Sequence, residues 1–235
     1  MRMAKISLIL SFIPLMVNAW VTQYLPNKVP IHYNLSGEVD GWGSRYSSMI
    51  VPITIIISAI VWFLVINHIE KRVQSCEDEK KIKADLSNMK VLGVVTLTLT
   101  SVLSIEHFIS LYKMYSMTNN TGMLLELDET RQMCVSMAIV FILLGNVLPL
   151  TRNNYLVGVR VYWSMYNDNT WRKSNRFGGI LFVIAGIFML IVAIIGNSGT
   201  YIPTVIGCTL VITVLAIAYS YIVYKEEIKK KESNF

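Results

Sequence analysis

The sequence predicts an all-α integral membrane protein: a six-transmembrane-helix bundle with both termini in the cytoplasm and an ordered outer loop between helices 1 and 2. Three observations predict this fold class. Of the 235 residues, 54% are hydrophobic and only 15% are charged, against about 25% charged residues in an average soluble domain. The chain contains several long stretches without charged side chains, and its basic residues are unevenly distributed between them. A mean hydropathy of +0.51 argues against a soluble enzyme or a disordered chain.

The six predicted spans follow from length and charge, because a helix needs about 20 apolar residues to cross the hydrocarbon core. Five spans are free of charged side chains: they cover residues 6–27, 46–69, 132–151 and the two halves of residues 177–224, a run interrupted at residues 196–199. The weaker stretch 90–117 carries Glu106, His107 and Lys113. It is assigned as the third span, because the flanking loops otherwise cannot alternate between the two sides.

The spans divide the chain into three predicted units. They are an N-terminal two-helix domain with a Pro/Gly-rich outer loop (1–70), a charged cytoplasmic connector (71–90) and a four-helix membrane domain with a basic cytoplasmic loop at 152–176 (91–235). The connector has balanced charge and predicts a short helical extension.

The orientation follows from the positive-inside rule. Of the 21 Lys and Arg residues, 17 fall on the side that holds both termini, which predicts that this side is cytoplasmic. The net charge of +6 is then explained by topology, and direct nucleic-acid binding is not needed to account for it. One alternative remains: cleavage of a signal peptide after residue 19 would leave five spans with the same C-terminal orientation.

The outer loop, residues 25–45, is rich in proline and glycine and is predicted to be ordered and rich in turns. Residues 31–33 can form a short extended piece, whereas Gly37, Gly41 and Gly43 permit left-handed turns. His32 with Glu38 and Asp40 could bind a cation or a ligand amine. Hydrogen bonds among these side chains that close the loop are the favoured alternative.

The outer-loop motif consists of Leu25, Pro26, Pro30, His32, Asn34, Gly37, Asp40 and Trp42. This pattern resembles a small N-terminal domain of uncharacterised function, which occurs at the start of many bacterial membrane proteins. The resemblance covers about the first quarter of the chain and implies no particular chemistry.

The inner loop before the fifth span is basic, with aromatic residues interleaved among the cations. That composition is expected of a segment anchored at the membrane interface. Its asparagines and glycines also predict a folded loop, in which Arg160 is held by carbonyls or a carboxylate and the amides satisfy backbone groups. The sequence favours a structural role and a partner-binding role of this loop equally.

The inner-loop motif consists of Asn154, Gly158, Val159, Arg160, Trp163, Ser164, Asn167, Trp171, Ser174, Asn175, Arg176 and Gly179. This pattern resembles the signature of the bacterial SdpI family. Where members of that family usually carry Thr-Pro, this chain has Val161 and Tyr162, which predicts a looser turn.

The resemblance implies a multi-pass protein of the bacterial cytoplasmic membrane that confers immunity to a secreted, membrane-active peptide toxin. It also implies possible signal transduction, in which the toxin-bound protein captures a cytoplasmic DNA-binding repressor. A cationic or amphipathic toxin in the outer leaflet could meet the outer loop and the acidic segment at residues 126–129. The expected partners are therefore the toxin, the repressor and the lipid bilayer.

The third span carries a polar stripe made of Thr96, Thr100, Ser104, His107 and Ser110. The stripe is predicted to face the bundle interior. Glu106 and Lys113 flank it and are predicted to pair directly or through water. Glu106 and His107 are functional candidates, and they support the alternative function, a small-solute or ion transporter that uses this helix.

Catalysis, cofactors and metal binding are not expected. The sequence lacks nucleophile-elbow, zinc-protease and phosphate-loop motifs. Its three cysteines are scattered and form no C-x-x-C pair, which argues against a disulfide scaffold or a zinc site. We therefore expect that the protein is not an enzyme.

Overall fold

A computed structural model of the chain describes residues 1–34, 37–119 and 128–233, with side chains described to residue 116 in the second of these segments. The described helices are α1 (Arg2–Val21), α2 (Ile50–Ser75), α3 (Glu79–Asn119), α4 (Glu129–Val147), α5 (Asp168–Ile195) and α6 (Ser198–Glu232). Each of the six is long and apolar enough to cross a membrane. The predicted six-helix architecture is confirmed.

Helices that follow one another along the chain run in opposite directions. Lys113, late in α3, contacts Glu129 at the start of α4, whereas Glu106, earlier in α3, contacts Ser136, later in α4. Helix α1 lies parallel to α3. The Oγ of Ser7 is 2.7 Å from the Oγ1 of Thr100, and farther along both helices the Nδ2 of Asn18 is 3.1 Å from the Nε2 of His107. This arrangement brings α1, α2 and α3 into one group, while α4, α5 and α6 form a second group that contacts the first mainly through α3 and α4.

The segment between α1 and α2 forms an antiparallel hairpin of two strands, β1 (Lys28–Tyr33) and β2 (Val39–Ser44). The predicted extended piece at 31–33 lies within β1. Gly37 adopts a left-handed conformation with φ +83°, whereas Gly41 and Gly43 lie in β2 and do not. Gly41 lies in β2 opposite His32, where an added Cβ would be 2.8 Å from the Cβ of His32. Close approach of the two strands therefore explains this glycine.

The two ends of the bundle differ in structure. We call the end that carries the hairpin the hairpin end. The opposite end carries residues 151–167 and both described ends of the chain, and we call it the loop end. The basic residues that the sequence assigns to one side lie at the loop end.

The charged segment 71–90 is mostly helical. Helix α2 continues to Ser75 and α3 begins at Glu79, so the predicted unit boundaries at residues 70 and 90 fall inside helices. Across the junction, Arg72 donates two hydrogen bonds to the carboxylate of Asp85, at 2.6 and 2.9 Å. Pairs of opposite charge along α3, such as Lys83 with Glu79 at 3.0 Å, support the helix beyond its apolar part.

Helices α4 and α5 pack closely through small residues. A Cβ added to Gly179 would lie 2.5 Å from the carbonyl oxygen of Gly145, and one added to Gly186 would lie 2.7 Å from the carbonyl oxygen of Ala138. Larger side chains at these positions would force the helices apart. This contact holds the start of α5 against the end of α4, where the inner loop begins.

Candidate functional site

The inner loop, residues 151–167, is fixed to the first two turns of α5. The amide of Asn175, which is fully buried, accepts a hydrogen bond from the backbone N–H of Val159 at 2.8 Å and donates one to the carbonyl oxygen of Trp171 at 3.0 Å. The indole N–H of Trp171 donates to the carbonyl oxygen of Thr151 at 3.1 Å. Two motif residues on α5 therefore bind the start and the middle of the loop.

Gly158 allows the loop to approach these two side chains. Its φ of +134° lies in a region that side chains rarely adopt. An added Cβ would lie 2.7 Å from the Oδ1 of Asn175 and 2.8 Å from the Cη2 of Trp171. Both the backbone conformation and the lack of space require glycine at this position.

The other motif asparagines satisfy backbone groups, as the sequence predicts. The side chain of Asn154 accepts from the backbone N–H groups of Leu156 and Val157, at 2.7 and 2.8 Å. Asn167 caps α5 by accepting from the backbone N–H of Thr170 at 2.8 Å, and the Thr170 hydroxyl closes a reciprocal capping box. These contacts shape a segment that has no regular secondary structure.

Helix α6 holds the far side of the loop. The indole N–H of Trp163 donates to the hydroxyl of Ser220 at 2.7 Å. The amides of Asn167 and Asn169 both donate to the carboxylate of Glu227, at 3.4 and 2.5 Å. The inner loop is thus held by α5 and α6 together and is a folded part of the bundle.

The turn after Arg160 is closed, although Val161 and Tyr162 replace the usual Thr-Pro. The buried hydroxyl of Ser164 accepts from the backbone N–H of Val161 at 3.0 Å and contacts the carbonyl oxygen of Val159 at 2.6 Å. The side chain of Tyr162 is exposed. The turn therefore depends on the serine of the motif, and the looser turn that the sequence predicts is not what the structure shows.

The two motif arginines are exposed at the loop end. Arg160 donates to the carbonyl oxygen of Leu156 at 3.2 Å, so a carbonyl holds it, and no ion pair of Arg160 occurs among the residues that the structure describes. Arg176 is also exposed on α5. The two cations contribute little to the fold of the loop, so both are available to bind a partner.

Six residues of the outer-loop motif lie on the hairpin or its turn: Pro30, His32, Asn34, Gly37, Asp40 and Trp42. The Nδ1 of His32 is 2.5 Å from the Oδ1 of Asp40, and the amide of Asn34 donates to Glu38 at 3.0 Å. Hydrogen bonding within the loop is thus the alternative that the structure shows. Within the described segments, no group of three potential metal ligands is found.

A polar cluster joins α3 and α4 near the hairpin end. The ammonium group of Lys113 donates to Glu129 at 2.8 Å and to the side-chain oxygen of Gln132 at 3.2 Å. The amide nitrogen of Gln132 donates to Glu106, which also accepts from the hydroxyl of Ser136. The amide of Gln132 therefore joins Glu106 to Lys113, whereas the sequence predicts pairing directly or through water. Gln132 itself was not predicted.

The hairpin is connected to this cluster. The hydroxyl of Tyr33, in β1, hydrogen-bonds to Glu129, and burial together with this carboxylate raises the pKa of Tyr33 to about 12. At the turn, an added Cβ on Gly37 would lie 3.0 Å from the Oδ1 of Asp128. The hairpin thus rests on the first turn of α4 and reaches Lys113 on α3 through Glu129.

A second buried network surrounds His107. The Nε2 of His107 is 3.1 Å from the amide nitrogen of Asn18, and this amide also donates to the carbonyl oxygen of Ser48 at 2.8 Å. The network links α1, α3 and the residues just before α2. Thr96, Thr100 and His107 are buried, which confirms that this part of the polar stripe faces the interior. Asn18 could have been identified from the sequence, because it is a polar residue inside an apolar span.

Comparison with known proteins agrees with both motifs. Residues 151–224 match the SdpI/YfhL protein family. Residues 9–57 match a domain described as "Domain of unknown function (DUF1648)". The resemblance to the SdpI family is confirmed.

Similarity extends over the whole chain. The "Immunity protein SdpI" of Bacillus subtilis (strain 168) is 23% identical over 228 residues, which cover 96% of this chain and 98% of that protein. No solved structure matches. With its six apolar helices, this SdpI-like chain is a multi-pass protein of the bacterial cytoplasmic membrane.

Proposed function

We propose that this SdpI-like chain is an immunity protein, which protects a bacterial cell against a secreted peptide toxin that acts on the membrane. The observation that carries the proposal is the end-to-end similarity to a protein named for immunity, with 96% of this chain covered. The inner loop supports it, because its motif residues form one folded unit against α5 and α6. The proposed role is binding rather than catalysis.

The proposed orientation places the hairpin end outside the cell and the loop end in the cytoplasm. It rests on the charge distribution, because 17 of the 21 basic residues lie toward the loop end and cytoplasmic segments carry the excess of Lys and Arg. A secreted toxin would then approach the hairpin first.

The hairpin end offers an amphipathic peptide a surface at the height of the lipid headgroups. Trp20, Trp42 and Tyr46 are exposed there, and such aromatic residues are favoured at the membrane interface. Of the acidic segment proposed to attract a cationic toxin, Glu126 and Leu127 lie outside the described residues. Asp128 caps α4 and Glu129 pairs with Lys113, so these two carboxylates are already engaged within the fold.

Toxin contact at the hairpin could be transmitted into the bundle through Tyr33, Glu129 and Lys113. These groups are in hydrogen-bond contact and join the hairpin to α4 and α3. Movement of α3 would then reach the loop end, where the exposed Arg160 and Arg176 lie. Capture of a DNA-binding repressor at that end is the signalling extension of this proposal.

The proposal is tested by the survival of a toxin-sensitive bacterium that expresses the chain and is challenged with a sporulation-delay-type peptide. The intact chain should protect. Arg160→Ala should abolish protection without reducing the amount of protein in the membrane, because the side chain makes one backbone hydrogen bond at 3.2 Å. Arg152→Ala, an exposed arginine of the same loop outside the motif, is the matched control and should protect fully.

Two outcomes would contradict the proposal. If the intact chain gives no protection against any peptide of this class, the immunity function is wrong for this chain. If Arg160→Ala and Arg152→Ala protect equally at equal membrane abundance, the inner-loop arginine of the motif has no role in protection.

The half-buried Glu106, held by Gln132 and Ser136, favours one second candidate, a small-solute or ion transporter. Ionisable groups inside spans are typical of transport pathways. Transport predicts that Glu106→Gln reduces solute flux into vesicles or cells. Immunity predicts that Glu106→Gln leaves solute flux unchanged. Flux that depends on Glu106 together with unchanged protection would favour the transporter.

A further inference from the structure

A large cavity lies at the loop end, between α2, the start of α3 and the inner loop. Its volume is about 770 Å³. Leu64, Val65 and Ile69 of α2 form its apolar wall, and Asn88 and Asn154 contribute polar groups. Asn154 belongs to the inner-loop motif, but its hydrogen bonds to the loop backbone do not account for the presence of the cavity.

The polarity of the cavity changes along α2. From Leu64 to Ile69 the helix is free of Asp, Glu, Lys and Arg, and from Glu70 onward it is charged. The cavity continues past this boundary to Arg72 and Cys76. Leu64 and Cys76 are 12 positions apart in the sequence, which corresponds to about 18 Å along the helix axis at about 1.5 Å per residue. The cavity therefore extends from the apolar part of the bundle into its charged end.

The charged part of the cavity is cationic. Arg72 and Lys81 line it with a single carboxylate, Asp85, which Arg72 binds at 2.6 Å. The exposed Lys81 also pairs with Asp78, which lies outside the lining, at 3.5 Å. His68 adds a further nitrogen-bearing side chain. A small inorganic anion would not cover the apolar wall, and a neutral alkyl chain would not form ionic contacts with the cations.

We propose that this cavity binds an anionic glycerophospholipid. The phosphate group would lie beside Lys81 and Arg72, and an acyl chain would lie along Leu64 and Val65. Basic pockets between transmembrane helices are known to favour anionic headgroups. A bound lipid would fill the space between the α2–α3 pair and the inner loop. The inference is independent of the immunity proposal, because it concerns a lipid of the cell's own membrane.

The test measures lipid binding to the full chain, purified and delipidated in a neutral detergent. Phosphatidylglycerol should raise the apparent unfolding temperature and remain bound in native mass spectrometry at about one copy. Phosphatidylcholine should bind at least fivefold more weakly, since its headgroup carries no net charge. Soluble glycerol phosphate should give no shift, because it lacks an acyl chain for the apolar wall.

Two pairs of variants locate the site. Lys81→Glu should weaken phosphatidylglycerol binding about tenfold, whereas Lys83→Glu makes the same charge change on the same helix outside this cavity and should not. Val65→Trp should fill the apolar part and remove binding, and Ile57→Trp, an exposed position higher on α2, is its control. Equal binding of both lipids, or equal effects of Lys81→Glu and Lys83→Glu, would overturn the proposal.

Discussion

Substitution of Gly158 by alanine tests the structural account of the inner loop most directly. The change adds a methyl group at a residue with φ +134°, 2.7 Å from the Oδ1 of Asn175. Backbone strain of this kind costs about 1–3 kcal/mol. If Asn175 moves to relieve the contact, its hydrogen bond with the backbone N–H of Val159 is lost, and an unsatisfied buried group costs about 1–3 kcal/mol.

The sum is a destabilisation of about 2–6 kcal/mol. At about 2–4 °C per kcal/mol for a chain of this size, the apparent unfolding midpoint in detergent should fall by about 5 °C or more. Trypsin should also cleave faster after Arg152 and Arg160, because a loosened loop exposes both backbone sites. The measurements are a thermal scan and a time course of limited proteolysis on the purified full chain.

Gly207→Ala is the matched control. Gly207 lies inside α6, and an added Cβ there would meet no atom within 4 Å. Alanine is a better helix former than glycine by about 1 kcal/mol, so this variant should unfold at the same temperature as the parent or slightly higher. An unchanged midpoint and cleavage rate for Gly158→Ala would refute the conclusion that the packing of the loop on Asn175 and Trp171 requires glycine at this position.

Three further substitutions test other contacts. Lys113→Met leaves the carboxylate of Glu129 without its ammonium partner at 2.8 Å. It should destabilise the protein by about 3–5 kcal/mol, and adding Glu129→Gln should recover part of the loss; additive effects in the double variant would contradict the pairing. Asn167→Ala removes the cap of α5 and should cost about 0.5–2 kcal/mol, measured as a lower unfolding midpoint, with no change counting against the cap. Because the pKa of Tyr33 is raised from 10.0 to about 12, the folded state retains a proton that the unfolded state loses, so stability should fall between pH 10 and 12. Tyr33→Phe should reduce that fall, and parallel pH curves for the two proteins would show that Tyr33 does not contribute.

The helices and the folded nature of the inner loop could be predicted from the sequence because they depend on local properties. Hydropathy and charge determine which segments span the membrane. Asparagine and glycine indicated that the inner loop is folded, and Asn154 and Asn175 do bind backbone groups there. The hairpin was predicted only in part. Pro30 and the glycines of β2 disfavour strands, and the fold of this segment depends on contact between Gly37 and α4.

The partners of the buried polar groups could not be predicted, because they depend on how the helices are rotated against one another. A one-residue shift of α4 relative to α3 would turn Gln132 and Ser136 away from Glu106. The same holds for Asn18, which meets His107 from a helix 89 residues away in sequence. Spacing along α3 correctly placed Thr96, Thr100 and His107 inside the bundle, but it carries no information about which side chains face them.

Helix α3 is one of the described elements that connect the two candidate sites. Its 41 residues extend over about 60 Å at 1.5 Å per residue. Near the hairpin end it carries Lys113, and near the loop end it carries Asn88, whose side-chain oxygen accepts from the backbone N–H of Arg152 at 2.9 Å. An axial shift or rotation of one stiff helix would alter both contacts at once. A signal from the hairpin to the inner loop therefore needs no chain of side-chain contacts through the membrane, because a rigid displacement of α3 is sufficient to carry it.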